Sequence, residues 1–485
     1  MKIKIVIRVL GLLGIIISLT MLWPLGWSIA SQGTDTFAFI ESITIGLIIG
    51  LALFFLGRTK KGYQELRVRE AFAVVTLSWI LASIIGALPF YLSGMVPSYT
   101  DAFFEAMSGF TTTGATILQE IESQQRGLLF WRSLTHWLGG MGIIVLGLAI
   151  LPFIGVGGMQ LFKAEVPGPI PEKLTPRIQQ TAMLLWIVYV IISAAETVAL
   201  MLCGMDLFDS LTHTFGTMAT GGFSPRNLSV GAYNSPAIEW VITFFMFLAG
   251  ANFVLHYMAL KGKLKCYLKD EEFRFYLIGT LIFGFIISGL LLTQGGYTSV
   301  SKAIRDSFFQ VVSILTTTGY GTANFDIWPH ATRFILLLLM FIGGSSGSTG
   351  GGIKQVRIQI IGKRILIEIK RLLHPQQVQR IRFNGKVLKD DTVSSVTAFF
   401  ILYMGIFVVG TISIMITTGL DLETGLSSVA ATLGNIGPGL GKVGSIENYG
   451  HINMIGKWQL SFFMLLGRLE LFSVIMLFVP GTWKQ

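Results

Sequence analysis

Asp101-Ala-Phe-Phe-Glu-Ala-Met-Ser-Gly-Phe-Thr-Thr-Thr-Gly114 and Asp306-Ser-Phe-Phe-Gln-Val-Val-Ser-Ile-Leu-Thr-Thr-Thr-Gly319 are two copies of one segment, and eight of their fourteen positions are identical. Each is amphipathic, ends in hydroxyl residues and Gly, and is shorter than the roughly 20 apolar residues that a membrane-spanning helix needs. A third copy, Asp209-Ser-Leu-Thr-His-Thr-Phe-Gly-Thr-Met-Ala-Thr-Gly221, is shorter by one between its Asp and that Gly. A fourth ends Ala430-Ala-Thr-Leu-Gly434, with Asp421 at the offset of Asp101 from Gly114. Internal repetition of this kind marks a duplicated architecture.

Every copy lies between two apolar stretches. The first helices of the four units are expected at 71–93, 179–203, 273–292 and 394–417. The second are expected at 128–153, 237–260, 331–369 (interrupted) and 456–480. An opening hairpin over 3–30 and 37–57 precedes them. Although Lys2, Lys4 and Arg8 before an apolar run and Ser28-Ile29-Ala30 after it imitate a leader sequence, the run exceeds a leader's apolar core, and a retained span is expected. The organisation is therefore an N-terminal transmembrane hairpin (1–70) and four pore units (71–177, 178–265, 266–392 and 393–485). The expected fold is all-α and integral to the membrane, with four helix–pore-loop–helix units in pseudo-fourfold arrangement around one pore.

Composition agrees. Mean hydropathy is +0.68, and charged residues are only 13%, against about a quarter in soluble chains. With the N-terminus inside and the pore segments on the outer side, 27 of the 36 Lys and Arg residues fall at the inner side, with only 10 of the 26 acids. Positive charge gathers on the cytoplasmic face of membrane proteins, so both termini are expected there. The net charge of +10 is thereby explained without nucleic acid. Cys203 and Cys266 make neither a disulfide framework nor a metal site. No catalytic constellation is present, so neither an enzyme nor a cofactor is expected. A solute transporter also uses broken helices, but four outward pore loops argue against one.

A re-entrant helix ending in Thr-Thr-Thr-Gly directs its C-terminal carbonyls, which carry partial negative charge, toward the pore axis. The small residues that follow run extended, and their carbonyls replace an ion's water shell. One such loop is equally well a turn between helices; four in register make a filter. These residues resemble the Trk/Ktr/HKT superfamily of potassium transporters, and the added N-terminal hairpin resembles its TrkH branch. The resemblance implies a filter at Thr111, Thr112, Thr113 and Gly114; Met218, Ala219, Thr220 and Gly221; Thr316, Thr317, Thr318 and Gly319; and Ala431, Thr432, Leu433, Gly434 and Asn435. Its key glycines would be Gly114, Gly221, Gly319 and Gly434. The sodium-preferring branch tends to place Ser at the first of these, and here it is Gly. Leu433 departs from the pattern, since unit four lacks a hydroxyl directly before its Gly. Potassium is the implied substrate, taken up across the bacterial inner membrane.

Inside the second helix of unit three stand Gly343, Gly344, Ser345, Ser346, Gly347, Ser348, Thr349, Gly350, Gly351 and Gly352. No strand precedes the run and no Gly-Lys-Ser/Thr ends it, so it is not a phosphate loop. Unwound backbone at membrane depth must line water or a cavity. The family implies a gate beneath the filter; a passive hinge is the alternative. Arg468 on the last helix is costly in a membrane. It either repels cations near that gate, as the family implies, or forms an ion pair with Glu470 or Glu196. His136 is expected to bond neighbouring helices. The basic run carrying Arg357, Lys363, Arg364, Lys370 and Arg371 suits anionic lipid headgroups. It also suits the TrkA-like cytoplasmic nucleotide-binding subunit that the family implies, along with a homodimer.

Overall fold

The computed structural model describes residues 2–58, 64–65, 68–142, 156–157, 178–374 and 379–480. Six helices among them are long and apolar enough to cross a membrane: Ile3–Ala30, Thr36–Leu56, Val68–Leu92, Gln180–Leu202, Glu271–Thr293 and Asp390–Thr418. The first two form the N-terminal hairpin. Their backbones meet at glycines: a β-carbon on Gly11 would lie 2.3 Å from the Phe54 nitrogen, and one on Gly50 would lie 2.8 Å from the Ile15 nitrogen. Small residues at a crossing let apolar helices approach where lipid offers no hydrophobic drive. The other four spans are the first helices of the four units.

Each unit then sends down a short helix: Tyr99–Phe110, Leu207–Met218, Val300–Leu315 and Leu422–Leu433. These pore helices one to four begin at N-caps that the sequence supplies. The side chains of Ser98, Asp206, Ser299 and Asp421 accept from the backbone N–H of Asp101, Asp209, Lys302 and Thr424, satisfying donors that a helix start leaves free. Asp421 is thus the counterpart of Ser98 rather than of Asp101, which corrects the register expected for unit four.

The second helices are Arg126–Gly140, Pro236–Ala249 with Phe253–Leu260, His330–Leu339 with Gln355–Leu373, and Met454–Arg468 with Phe472–Phe478. The interruption in unit three was expected, but units two and four are broken too, by bends of 103° and 118°. In unit two Asn252 restarts the helix, its Oδ1 accepting from Val254 N–H at 2.9 Å. In unit four Glu470 and Leu471 turn the chain with φ of 52° and 58°. The expected end of unit one's second helix, 143–153, lies outside the described residues.

Ion pairs link the second helix of one unit to the pore helix of the next. Lys457 of unit four meets Asp101 at 2.6 Å, Glu239 of unit two meets Arg305 at 2.5 Å, and Arg333 of unit three meets Glu423. From unit one to unit two the link is aromatic, with the Arg126 guanidinium 5.3 Å from the Phe208 ring. The pseudo-fourfold ring is therefore held by contacts that run one way around it.

Candidate functional site

Where the four pore helices end, the backbone repeats one conformation. The C-cap residues are Thr111, Ala219, Thr316 and Gly434. Next come Thr112, Thr220, Thr317 and Asn435, all left-handed with φ of 53°, 54°, 61° and 55°. Two residues further on, Gly114, Gly222, Gly319 and Gly437 take φ of 80°, 79°, 83° and 97°. A side chain disfavours such angles, so glycine is required at the last position.

This geometry revises the register in two units. Gly222 and Gly437, not Gly221 and Gly434, are the counterparts of Gly114 and Gly319. The spacing is then uniform, since Asp101, Asp209, Asp306 and Thr424 each stand thirteen positions before their glycine. Met218, Ala431, Thr432 and Leu433 remain within the pore helices, and Thr432 spends its hydroxyl on the Ser428 carbonyl at 2.7 Å. Ile436 and Gly437 take their place in the loop. A glycine stands at both 221 and 222, and unit four reads Gly434-Asn-Ile-Gly437, so matching residue types alone picked the nearer glycine.

The four loops close into a ring. A β-carbon on Gly114 would lie 2.1 Å from the Gly221 oxygen, and one on Gly222 would lie 2.0 Å from the Thr318 oxygen. One on Gly319 would lie 1.9 Å from the Ile436 oxygen, and one on Gly437 would lie 2.6 Å from the Thr113 oxygen. Each glycine therefore abuts the carbonyl of the next unit, in the order one, two, three, four and back to one. Any side chain at these positions would push a ring oxygen aside. All four glycines line a single cavity of about 100 Å³, together with Arg132 and Tyr449.

The ring is braced by buried polar side chains that sequence reading had passed over. Glu105 receives Arg132 at 2.6 Å, Thr116 Oγ1 at 2.9 Å and Ile117 N–H at 3.0 Å. Arg132 also donates to the Ser224 carbonyl at 3.0 Å, joining unit one to unit two. Tyr320 reaches from unit three to donate to the His213 and Phe223 carbonyls at 3.0 and 3.2 Å. A buried charge is tolerable when paired and hydrogen-bonded in this way. No short spacing in the sequence announces these partners, because Glu105 and Arg132 stand 27 positions apart within unit one and the contacts to Ser224, His213 and Phe223 cross between units.

The glycine-rich loop, 343–352, sits against the ends of the pore helices. Its base is closed by Gly343 N–H to the Ile353 carbonyl at 2.8 Å. Thr349 Oγ1 donates to the Met218 carbonyl at 3.0 Å and Gly351 N–H to Thr317 Oγ1 at 2.7 Å. Ser345 N–H donates to the Gly250 carbonyl at 2.8 Å and Phe253 N–H to the Gly347 carbonyl at 3.0 Å, so the break in unit two is stitched to the loop. Glu272 Oε1 accepts from Ser346 N–H at 2.7 Å and Val356 N–H at 3.0 Å. Lys354 Nζ donates to the Gly350 carbonyl. Arg468 binds four oxygens at once: Thr112 Oγ1 (3.0 Å) and the carbonyls of Thr349 (2.7 Å), Gly139 (2.5 Å) and Gly140 (2.8 Å). It ties the loop to unit one, while Glu470 pairs with Arg357.

Comparison with known proteins agrees with this architecture. Residues 35–484 match the model of the TrkH family, described as a cation transport protein. The Trk system potassium uptake protein TrkH of Escherichia coli K12 is 42% identical, with 100% of each chain covered. TrkG of the same organism is 36% identical, over 100% of this chain and 99% of TrkG. The crystal structure of the potassium transporter TrkH from Vibrio parahaemolyticus superposes with a TM-score of 0.89 at 38% identity, covering 100% of both chains. The chain is thus a multi-pass membrane protein, and it belongs to the TrkH family of cation transport proteins.

Proposed function

We propose that this chain takes up potassium ions across the bacterial inner membrane through the ring formed by its four pore loops. One observation carries the reading: four loops of one conformation direct Thr113, Gly221, Thr318 and Ile436 so that each carbonyl meets the preceding unit's glycine. Ring carbonyls of this kind substitute for an ion's hydration shell. The potassium-uptake relatives support the choice of ion. The driving force would be the membrane potential, worth about 2.3 kcal/mol per charge per 100 mV.

The gate in this reading is the 343–352 loop with Arg468. The loop is largely buried under the pore-helix ends, and Arg468 bonds to both the loop and Thr112. A guanidinium there opposes a passing cation until it moves. Control would come from a cytoplasmic TrkA-like nucleotide-binding subunit. The exposed basic face of Gln355–Leu373, which runs directly from the loop, suits that contact and anionic lipid. Both termini would be cytoplasmic and the assembly a homodimer, as the family resemblance implies.

A second reading, a pore for mixed monovalent cations, is favoured by one asymmetry. Thr113 and Thr318 bear hydroxyls at the ring position, whereas Gly221 and Ile436 do not. Growth of a potassium-uptake-deficient bacterium at low potassium tests the main reading. Rescue by the full chain with its native partner is expected, and no rescue would remove the potassium assignment. Equal sodium and potassium uptake would favour the second reading.

A further inference from the structure

Gly221 is the one ring residue whose missing side chain is replaced by another unit. Its φ is not left-handed, so the backbone does not require glycine there. The obstacle is His136, on the second helix of unit one: a β-carbon on Gly221 would lie 2.2 Å from His136 Nδ1. The imidazole is fully buried. It also rests on Phe223, ring centroids 4.0 Å apart. Arg132 also lies over that phenyl ring, 3.5 Å from the centroid, with its Nη1 on the Ser224 carbonyl. Two side chains of one helix therefore hold the backbone of unit two from residue 221 to 224.

The other loops steady themselves differently. Thr113 Oγ1 bonds to Thr111 Oγ1 at 2.8 Å and receives the Asn435 amide at 3.0 Å. Thr318 Oγ1 bonds to Thr316 Oγ1 at 2.8 Å. Unit two has no side chain to do this, and an unsupported glycine backbone has the most freedom of any.

We propose that His136 is a specificity-determining positioning residue: its ring braces Gly221 from behind and sets how tightly the Gly221 carbonyl closes on a cation. The inference rests on the reading of the ring as an ion filter, and deepens it. Loosening one of four carbonyls widens the site and relaxes discrimination against the smaller sodium ion.

The test uses the full chain with its native partner in cells lacking other potassium uptake, at matched membrane amounts, with potassium and sodium uptake measured. Wild type must take up potassium; if it does not, the filter reading itself fails and this inference with it. Given that, His136→Ala is expected to lower the potassium-to-sodium ratio on the order of tenfold, a difference of about 1.4 kcal/mol between the two ions. Gly221→Thr alone should abolish uptake through collision with the imidazole. Combining it with His136→Gly should restore uptake, because the ring's space then admits a hydroxyl like those of Thr113 and Thr318. An unchanged ratio in His136→Ala overturns the proposal. So does a double variant no better than Gly221→Thr alone, and this holds even where His136→Ala fails to accumulate.

Discussion

Thr112, Thr220, Thr317 and Asn435 all hold left-handed backbone, a conformation that costs a residue with a side chain roughly 1–2 kcal/mol. Four such costs in equivalent places are tolerated because the conformation aims the next carbonyl at the neighbouring glycine. Gly114 is the most telling of these glycines, since its φ is 80° and any β-carbon would strike the Gly221 oxygen. Gly114→Ser is therefore expected to displace that oxygen and raise sodium uptake relative to potassium; an unchanged ratio would mean that this contact does not shape selectivity. Arg468→Ala removes bonds to Thr112, Thr349, Gly139 and Gly140 together. It should raise basal flux in the absence of the regulatory partner, and wild-type flux would set Arg468 aside as a gate. Residue types were legible in the sequence at this scale, but register was not. Adjacent glycines at 221 and 222 and the Gly434-to-Gly437 spacing offer two alignments each, and only backbone angles distinguish them.

Among the elements, the 343–352 loop was visible because ten consecutive small residues cannot continue a lipid-facing helix. The breaks in units two and four were not, because Gly250-Ala251-Asn252 and Leu469-Glu470-Leu471 look like ordinary helix interior. In unit two the loop's own hydrogen bonds capture Gly250 and Phe253, and in unit four Glu470, at the turn, pairs with Arg357 beyond the loop. Glu272 has the same standing, as a first-turn acid that holds Ser346 within the loop and Val356 in the helix that follows it. Glu272→Ala frees Ser346 N–H and Val356 N–H at once and should raise flux without altering the potassium-to-sodium ratio, because the ring is untouched. A changed ratio with unchanged flux would contradict that division of labour. Shortening the loop by its glycines should likewise raise basal flux, measured as uptake without the partner.

The assembled molecule depends on contacts that pass from each unit to the next. The Lys457–Asp101 pair is buried, at 2.6 Å, and removing one partner of such a pair costs about 3–5 kcal/mol. Lys457→Met should therefore lower the thermal midpoint in detergent and reduce uptake, while Lys457→Met with Asp101→Asn should recover much of the stability. A double variant as unstable as the single would show that the charge pair is not what couples unit four to unit one. The fold class was readable at this scale, since the repeat, the hydropathy and the distribution of Lys and Arg all point to the same four-unit membrane bundle. The ion pairs around the ring were not, because Asp101 and Lys457 stand 356 positions apart and nothing local joins them.

The proposed cation-selective ring rests on the four carbonyls of Thr113, Gly221, Thr318 and Ile436. Cation uptake into proteoliposomes holding the purified full chain and its regulatory partner, driven by a fixed membrane potential, tests it most directly. Saturable potassium uptake that exceeds sodium uptake and loses that preference in Gly114→Ser is the expected result. Uptake absent for both ions, or equal for both and indifferent to Gly114→Ser, would contradict it.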